Sequence, residues 1–255
     1  MFLVTSYRRK RLKSRPFPRE WLSVLEQHVP LYRRLGEEDR SELQGHIAVF
    51  IAEKNFEGRG GLSMTDEIRV TIAAQACILL LHRQTDYYPL LSSIIVYQGE
   101  FLAPYRDVDD YGVVNEGNDL RSGETGSEGA LVLSWEDAAV NDLDVHAGYN
   151  VVLHEFSHQL DAEDGITASD VSKRQPRMAL RTLEREYHRL QRDAAHGRAT
   201  VLDPYGAESL AEFFAVATES FFERPRHLKE HHPELYGDLA RYYRQDPVSW
   251  PVPGP

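Results

Sequence analysis

A chain of 255 residues with 42% hydrophobic content is long enough to bury a real core, as one large domain or two small ones. Its formal net charge of -11 argues against nucleic acid as the main partner, because a phosphate-binding surface needs clustered Lys and Arg. The longest apolar run, residues 76–81, falls far below the roughly 20 residues that span a bilayer, and the lone cysteine, Cys77, cannot form an internal disulfide.

At the N-terminus the apolar residues precede the charge, the reverse of a signal peptide. A cytoplasmic protein without a membrane partner is the consistent expectation. Six basic residues fall within positions 8–15, and residues 1–17 are expected to form a basic, flexible tail. A single domain is expected over residues 18–245, followed by a Pro-rich tail over 246–255. Between residues 18 and 56 apolar positions recur at helical spacing (Trp21, Leu22, Leu25, then Leu43, Ile47 and Phe50), which predicts packing helices without chemistry. Gly58, Gly60 and Gly61 break the pattern, and residues 63–66 have the spacing of a capping box. Ile68, Ile72, Ala76 and Leu79 then mark one face of a nearly all-apolar helix, expected to be buried behind the site.

Residues 91–101 contain the β-branched positions Ile94, Ile95 and Val96 and read as a strand. Residues 107–129, rich in Gly, Asp and Glu, are expected to be a long solvated loop, with a grip on a positively charged substrate end as the alternative. Residues 130–135 are the next strand, expected to run along the rim of a cleft and offer backbone groups to an extended peptide.

The stretch after it carries a His-Glu-x-x-His motif: His154, Glu155 and His158. On a helix, positions four apart share a face, so both imidazoles can reach one ion, while Leu153, Phe156 and Leu160 form an adjacent apolar stripe. A chain of this composition yields roughly 0.04 such motifs by chance. Asp161, one turn beyond His158, is either an acceptor that fixes an imidazole tautomer or a plain surface residue. An amphipathic helix follows (Leu183, Tyr187, Leu190), then a turn at Asp203 and Pro204, and a helix over 207–223 that Pro225 stops. A last helix covers 234–243.

A third ligand should be a carboxylate or imidazole on an element that is buried for other reasons, since a buried, unpaired carboxylate is costly. Glu212, between Leu210 and Phe213 in an apolar helix, fits best, and Glu208 and Glu219 on roughly the same face compete with it. Two imidazoles and a carboxylate leave Zn²⁺ a fourth position open, the pattern of a catalytic site.

His154 to Asp161, with Asp203, Pro204, Tyr205 and the run 211–216, resembles the MtfA family of bacterial zinc-dependent peptidases, and residues 65–77 and 131–136 resemble it too. The likeness covers residues 18–245. These glutamate-zincins have a fold similar to the catalytic domain of anthrax lethal factor. The resemblance implies an α+β, zincin-like metallopeptidase domain, mostly helical with a small sheet beside the active-site helix. It implies His154, His158 and Glu212 as ligands of one Zn²⁺ per chain, Glu155 as general base and Tyr205 as an oxyanion stabiliser. Two features depart from the family: residues 123–126 lack its tryptophan, and the basic N-terminus is not part of its pattern. Two functions follow as expectations. One is a peptidase, in one version aminopeptidase-like, acting on a peptide or protein substrate in a regulatory role. The alternative is a binding protein that sequesters a transcriptional regulator, because MtfA-type proteins bind the glucose-uptake repressor Mlc. The presence of Glu155 favours chemistry, since a purely structural site has no need of a base.

Overall fold

The computed structural model describes residues 2–108, 114–121, 123–125, 129–139, 148–168 and 180–251. It is mostly helical. In chain order come α1 (Phe2–Lys13), α2 (Arg19–His28), the short α3 (Pro30–Arg33), α4 (Glu37–Glu53), β1 (Asn55–Gly58) and α5 (Asp66–Ile78). Next are β2 (Ser93–Tyr97), β3 (Phe101–Val108), β4 (Val114–Arg121), β5 (Gly123–Thr125), β6 (Ala130–Ser134), α6 (Trp135–Ala139) and α7 (Val151–Asp164). The chain closes with α8 (Leu180–Ala195), a 3-10 turn (Pro204–Ala207), α9 (Leu210–Glu223), α10 (Pro225–His231) and α11 (Pro233–Tyr243).

Strands β1, β2 and β6 are parallel, β5 is antiparallel to β6, and the order across the sheet is β1-β2-β6-β5. Ile94, Val96, Leu131 and Leu133 are fully buried at alternate positions, which fixes the register: a slip by one residue would turn all four outward. Helix α5, capped by the Thr65 hydroxyl accepting from Ile68 N–H, is buried along nearly its whole length, as its apolar sequence predicts. Phe156 of α7 packs edge-on against Tyr88 at 4.8 Å and Phe50 at 5.7 Å, pinning the motif helix into this core. Truncating such a ring to Ala costs about 3–5 kcal/mol. Cys77 is fully buried in α5, and burial pushes its thiol pKa up.

Several expectations change here. The loop expected over 107–129 contains β4, β5 and the end of β3, and β3 pairs with β4 from Phe101↔Arg121 to Val108↔Val114. A two-stranded ribbon closes its hydrogen bonds locally and needs no apolar periodicity in its sequence. Strand β6, expected at a cleft rim, is flanked by both β2 and β5, so its backbone groups are already paired; β5 is the edge strand beside α7. Helix α9 ends at Glu223 just before Pro225, as expected, and Pro225 in turn starts α10, a further helix before the last one. Residues 1–17, expected as a flexible tail, carry α1, which packs along α4. There Arg9 grips Glu53 through Nη2 at 2.8 Å and Asp86 through Nη1 at 2.5 Å. The charge that read as a solvated arm is matched by acids far away in sequence. In the expected C-terminal tail, Trp250 packs against Phe222 at 6.0 Å.

Candidate metal centre

Two capped helices build the site. Asn150 starts α7, its side-chain oxygen accepting from Leu153 N–H at 3.0 Å, and Gly165 ends it in the left-handed conformation at φ 65°. Ser209 starts α9 by accepting from Glu212 N–H at 3.1 Å. That Ser209-x-x-Glu212 spacing is a capping box, yet the Glu212 carboxylate turns toward α7 instead of back to its own cap.

There it meets both histidines. Glu212 Oε2 lies 2.9 Å from His154 Nε2 and 3.5 Å from His158 Nε2, and the two Nε2 atoms are 3.2 Å apart. Ligand atoms about 2.0–2.1 Å from a tetrahedral Zn²⁺ are about 3.3 Å from one another, so these three spacings fit such an ion. Glu212 and His158 keep 22% and 18% side-chain exposure and His154 10%, which leaves the cluster reachable from one side. Glu212 is thus half-buried, less deep than its apolar helix predicted.

Behind the cluster, His154 Nδ1 faces Glu219 Oε1 at 2.7 Å, and Glu219 is 2% exposed. A carboxylate on Nδ1 makes that nitrogen the proton-bearing one and turns the Nε2 lone pair to the open side. Burial alone would lower the His154 pKa, but hydrogen bonds to Glu212 and Glu219 outweigh it and push the imidazole up to about 10. Burial raises the Glu212 carboxyl in turn, and the two histidines overcome it, holding the group down at about 2. Two carboxylates around one imidazole make a place where positive charge is favoured, which suits a bound cation.

Of the rival third ligands, Glu208 is exposed outside the cluster and Glu219 occupies the rear of His154. Among the described residues Asp161 accepts from Thr167 N–H at 2.7 Å and from the Thr167 hydroxyl, not from an imidazole, and so holds the turn after α7. Glu155 is 6% exposed on the motif helix. Tyr205 stands on the 3-10 turn, 48% exposed, its ring centroid 6.0 Å from that of His154. Gly206 seats that turn: an added Cβ would meet Leu190, Val216 and the Phe213 backbone at 3.2–3.4 Å.

One connection had no separate signal in the sequence. The Asn150 backbone N–H donates to Glu219 Oε2 at 2.6 Å and its amide donates to Glu223 Oε1 at 2.8 Å, so the residue that caps α7 also fixes the acids of α9. An Asn just before the motif reads only as a cap, and the carboxylates it meets are 69 and 73 positions away.

A helical protein whose two facing helices converge two imidazoles and a carboxylate, with a second carboxylate behind, has the donor set of a metalloprotein. The profile of the glucose-regulated metallo-peptidase M90 family matches residues 4–244, and the chain belongs to that family. The match starts within α1, so the basic N-terminus lies inside the family's pattern, contrary to the expectation. An uncharacterized protein of Synechocystis is 37% identical over 95% of this chain and 90% of its own length. Mlc titration factor A of Serratia proteamaculans is 28% identical over 90% of this chain and 88% of its own. The Mlc titration factor A of Pectobacterium atrosepticum is 29% identical over 87% and 84%. Among the described residues no helix is long and apolar enough to cross a membrane.

Proposed function

We propose that the chain is a zinc-dependent peptidase with a zincin-like domain, in which His154, His158 and Glu212 hold one Zn²⁺. The observation that carries this reading is the convergence of three donor atoms to 2.9–3.5 Å on helices whose sequence contains Glu155. When bound, zinc supplies Lewis acidity and lowers the pKa of a water to about 7. Glu155 takes the proton of the attacking water and passes it to the leaving amine. Tyr205, at the mouth, donates a hydrogen bond where charge develops on the substrate carbonyl. Glu219 keeps the His154 ring oriented. Strand β5, at the sheet edge beside α7, offers backbone groups to an extended peptide, the role first expected of β6. Aminopeptidase-like cleavage and a cytoplasmic location belong to the same reading.

The test is a metal analysis and a peptide panel run on the parent and on Glu155→Gln. The amide keeps the shape of the side chain but accepts no proton at neutral pH. Full metal content with hydrolysis lost is the expected outcome, and unchanged hydrolysis would remove Glu155 from the chemistry. The names of the Serratia and Pectobacterium relatives favour a second reading, sequestration of a transcriptional regulator such as Mlc. Partner capture that persists in Glu155→Gln, with no hydrolysis by the zinc-loaded parent, would make that the better account.

A further inference from the structure

At the C-terminal end of α9 a pocket of about 390 Å³ is lined by Arg34, Arg224 and Arg226, with Pro247, Val248 and Trp250 contributing an apolar wall. Arg34 donates to the carbonyls of Phe222 at 3.1 Å and Pro247 at 3.5 Å, and its guanidinium sits 5.4 Å from the Trp250 ring centroid. Arg224 donates to His227 Nδ1 at 2.8 Å, and its stem packs over Gly148, where a Cβ would come within 2.8 Å of Arg224 Cδ. Among the described residues none of the three arginines pairs with a carboxylate, and Arg226 makes no hydrogen bond. That is unusual in a chain with 40 acidic and 29 basic residues, where Arg9, Arg83, Arg185 and Arg241 all have acidic partners. The one acid in the pocket wall, Glu223, is engaged by the Asn150 amide, and burial raises its carboxyl pKa, which weakens it further as a counter-ion. Arg34 is partly desolvated with only carbonyls as acceptors, and burial lowers its pKa. Among the described residues the pocket wall thus sets three arginines against a single acid, Glu223, which attracts Arg34 at a distance but is bonded to Asn150 instead.

We propose that this pocket takes the side-chain carboxylate of an acidic residue in an extended peptide, with a neighbouring apolar residue against Trp250. Guanidinium groups present paired donors that match a carboxylate, and the stacked Arg34 is already held in place. Along α9, Arg224 lies about 18 Å from Glu212, at 1.5 Å per residue. That span equals the length of roughly five or six extended residues. Binding in the pocket is measured without cleavage, so this proposal and the peptidase reading can fail separately.

The experiment is fluorescence anisotropy at low salt with a fluorescein-labelled peptide carrying two aspartates beside a leucine, its asparagine counterpart, and inorganic phosphate as competitor. We expect saturable binding of the acidic peptide, at least about tenfold weaker binding of the asparagine peptide, and a similar loss in Arg224→Ala/Arg226→Ala. Metal content should not change. Arg226→Gln alone removes no hydrogen bond or ion pair among the described residues, so it gives a reading even if the double variant folds poorly, and binding should weaken there too. Equal affinity for both peptides, or undiminished binding in Arg226→Gln, would overturn the proposal. Phosphate binding more tightly than the acidic peptide would also overturn it, by making the pocket a site for a free oxyanion.

Discussion

Among the described residues two groups of three histidine and carboxylate side chains bring ligand atoms within reach of one ion, and they are arranged differently. In the first, the Nε2 atoms of His154 and His158 and a Glu212 oxygen point to one spot, and a buried carboxylate fixes one ring from behind. In the second, Asp39, Glu42 and His82 also bring ligand atoms within 4.8 Å of one another. There, however, a lone imidazole stands between the two acids, Nε2 on Asp39 at 3.1 Å and Nδ1 on Glu42 at 3.4 Å, with no second imidazole in the group to share an ion. Glu42 also accepts from the His82 backbone N–H at 3.0 Å and faces His46 Nε2 at 3.1 Å. Acid and imidazole thus satisfy each other in the second cluster. Convergence of lone pairs and support from behind separate a ligand set from an ion-paired surface turn of similar composition.

The largest effect should come from breaking convergence. His154→Ala is expected to abolish stoichiometric zinc, measured by metal analysis after gel filtration; full zinc in that variant would dissolve the distinction drawn above. Glu155→Gln should keep the metal and lose hydrolysis by about 10² to 10⁴, the usual share of a general base. Removing the rear support is smaller: Glu219→Gln is expected to weaken zinc by about 10- to 100-fold in a chelator competition, and an unchanged affinity would make Glu219 merely structural. For the second cluster, His82→Ala should leave one zinc per chain untouched and shift stability by about 1 kcal/mol or less in urea unfolding. Loss of metal there would show that this cluster binds an ion too.

The smallest effect concerns pH. Burial lowers the His46 pKa, and the Glu42 hydrogen bond offsets this only in part. As pH falls below about 6.5 the unfolded chain protonates this histidine before the folded one does, so stability falls with pH in that range. His46→Gln should flatten that part of the stability profile; a slope as steep as the parent's would assign it to other groups.

The motif helix was legible because its histidines, cap and packing stripe lie within a dozen residues. Glu212 could be picked from its apolar neighbours, but whether it or Glu219 faced the open side could not be read. Both lie on one helix, and only the placement of α7 tells front from back. Helix α1 was hidden because Glu53 and Asp86, which neutralise Arg9, are 44 and 77 positions away. The ribbon β3–β4 was hidden because its pairing is local and its sequence shows no regular apolar alternation.

Cys77 offers a clock inside this arrangement. It is the only thiol, fully buried in α5, and the carbonyl of its neighbour Ala76 accepts from the Tyr88 hydroxyl at 2.6 Å, the ring that also touches Phe156 of α7. A thiol reagent can reach it only during excursions that open the core, so the labelling rate counts those excursions. An ion joining α7 to α9 suppresses every excursion that parts those helices, by about 2.7 kcal/mol at a hundredfold excess over its dissociation constant, and leaves the others alone. Comparing labelling with and without chelator therefore tells whether the core around one sulfur atom breathes together with the metal helices or apart from them.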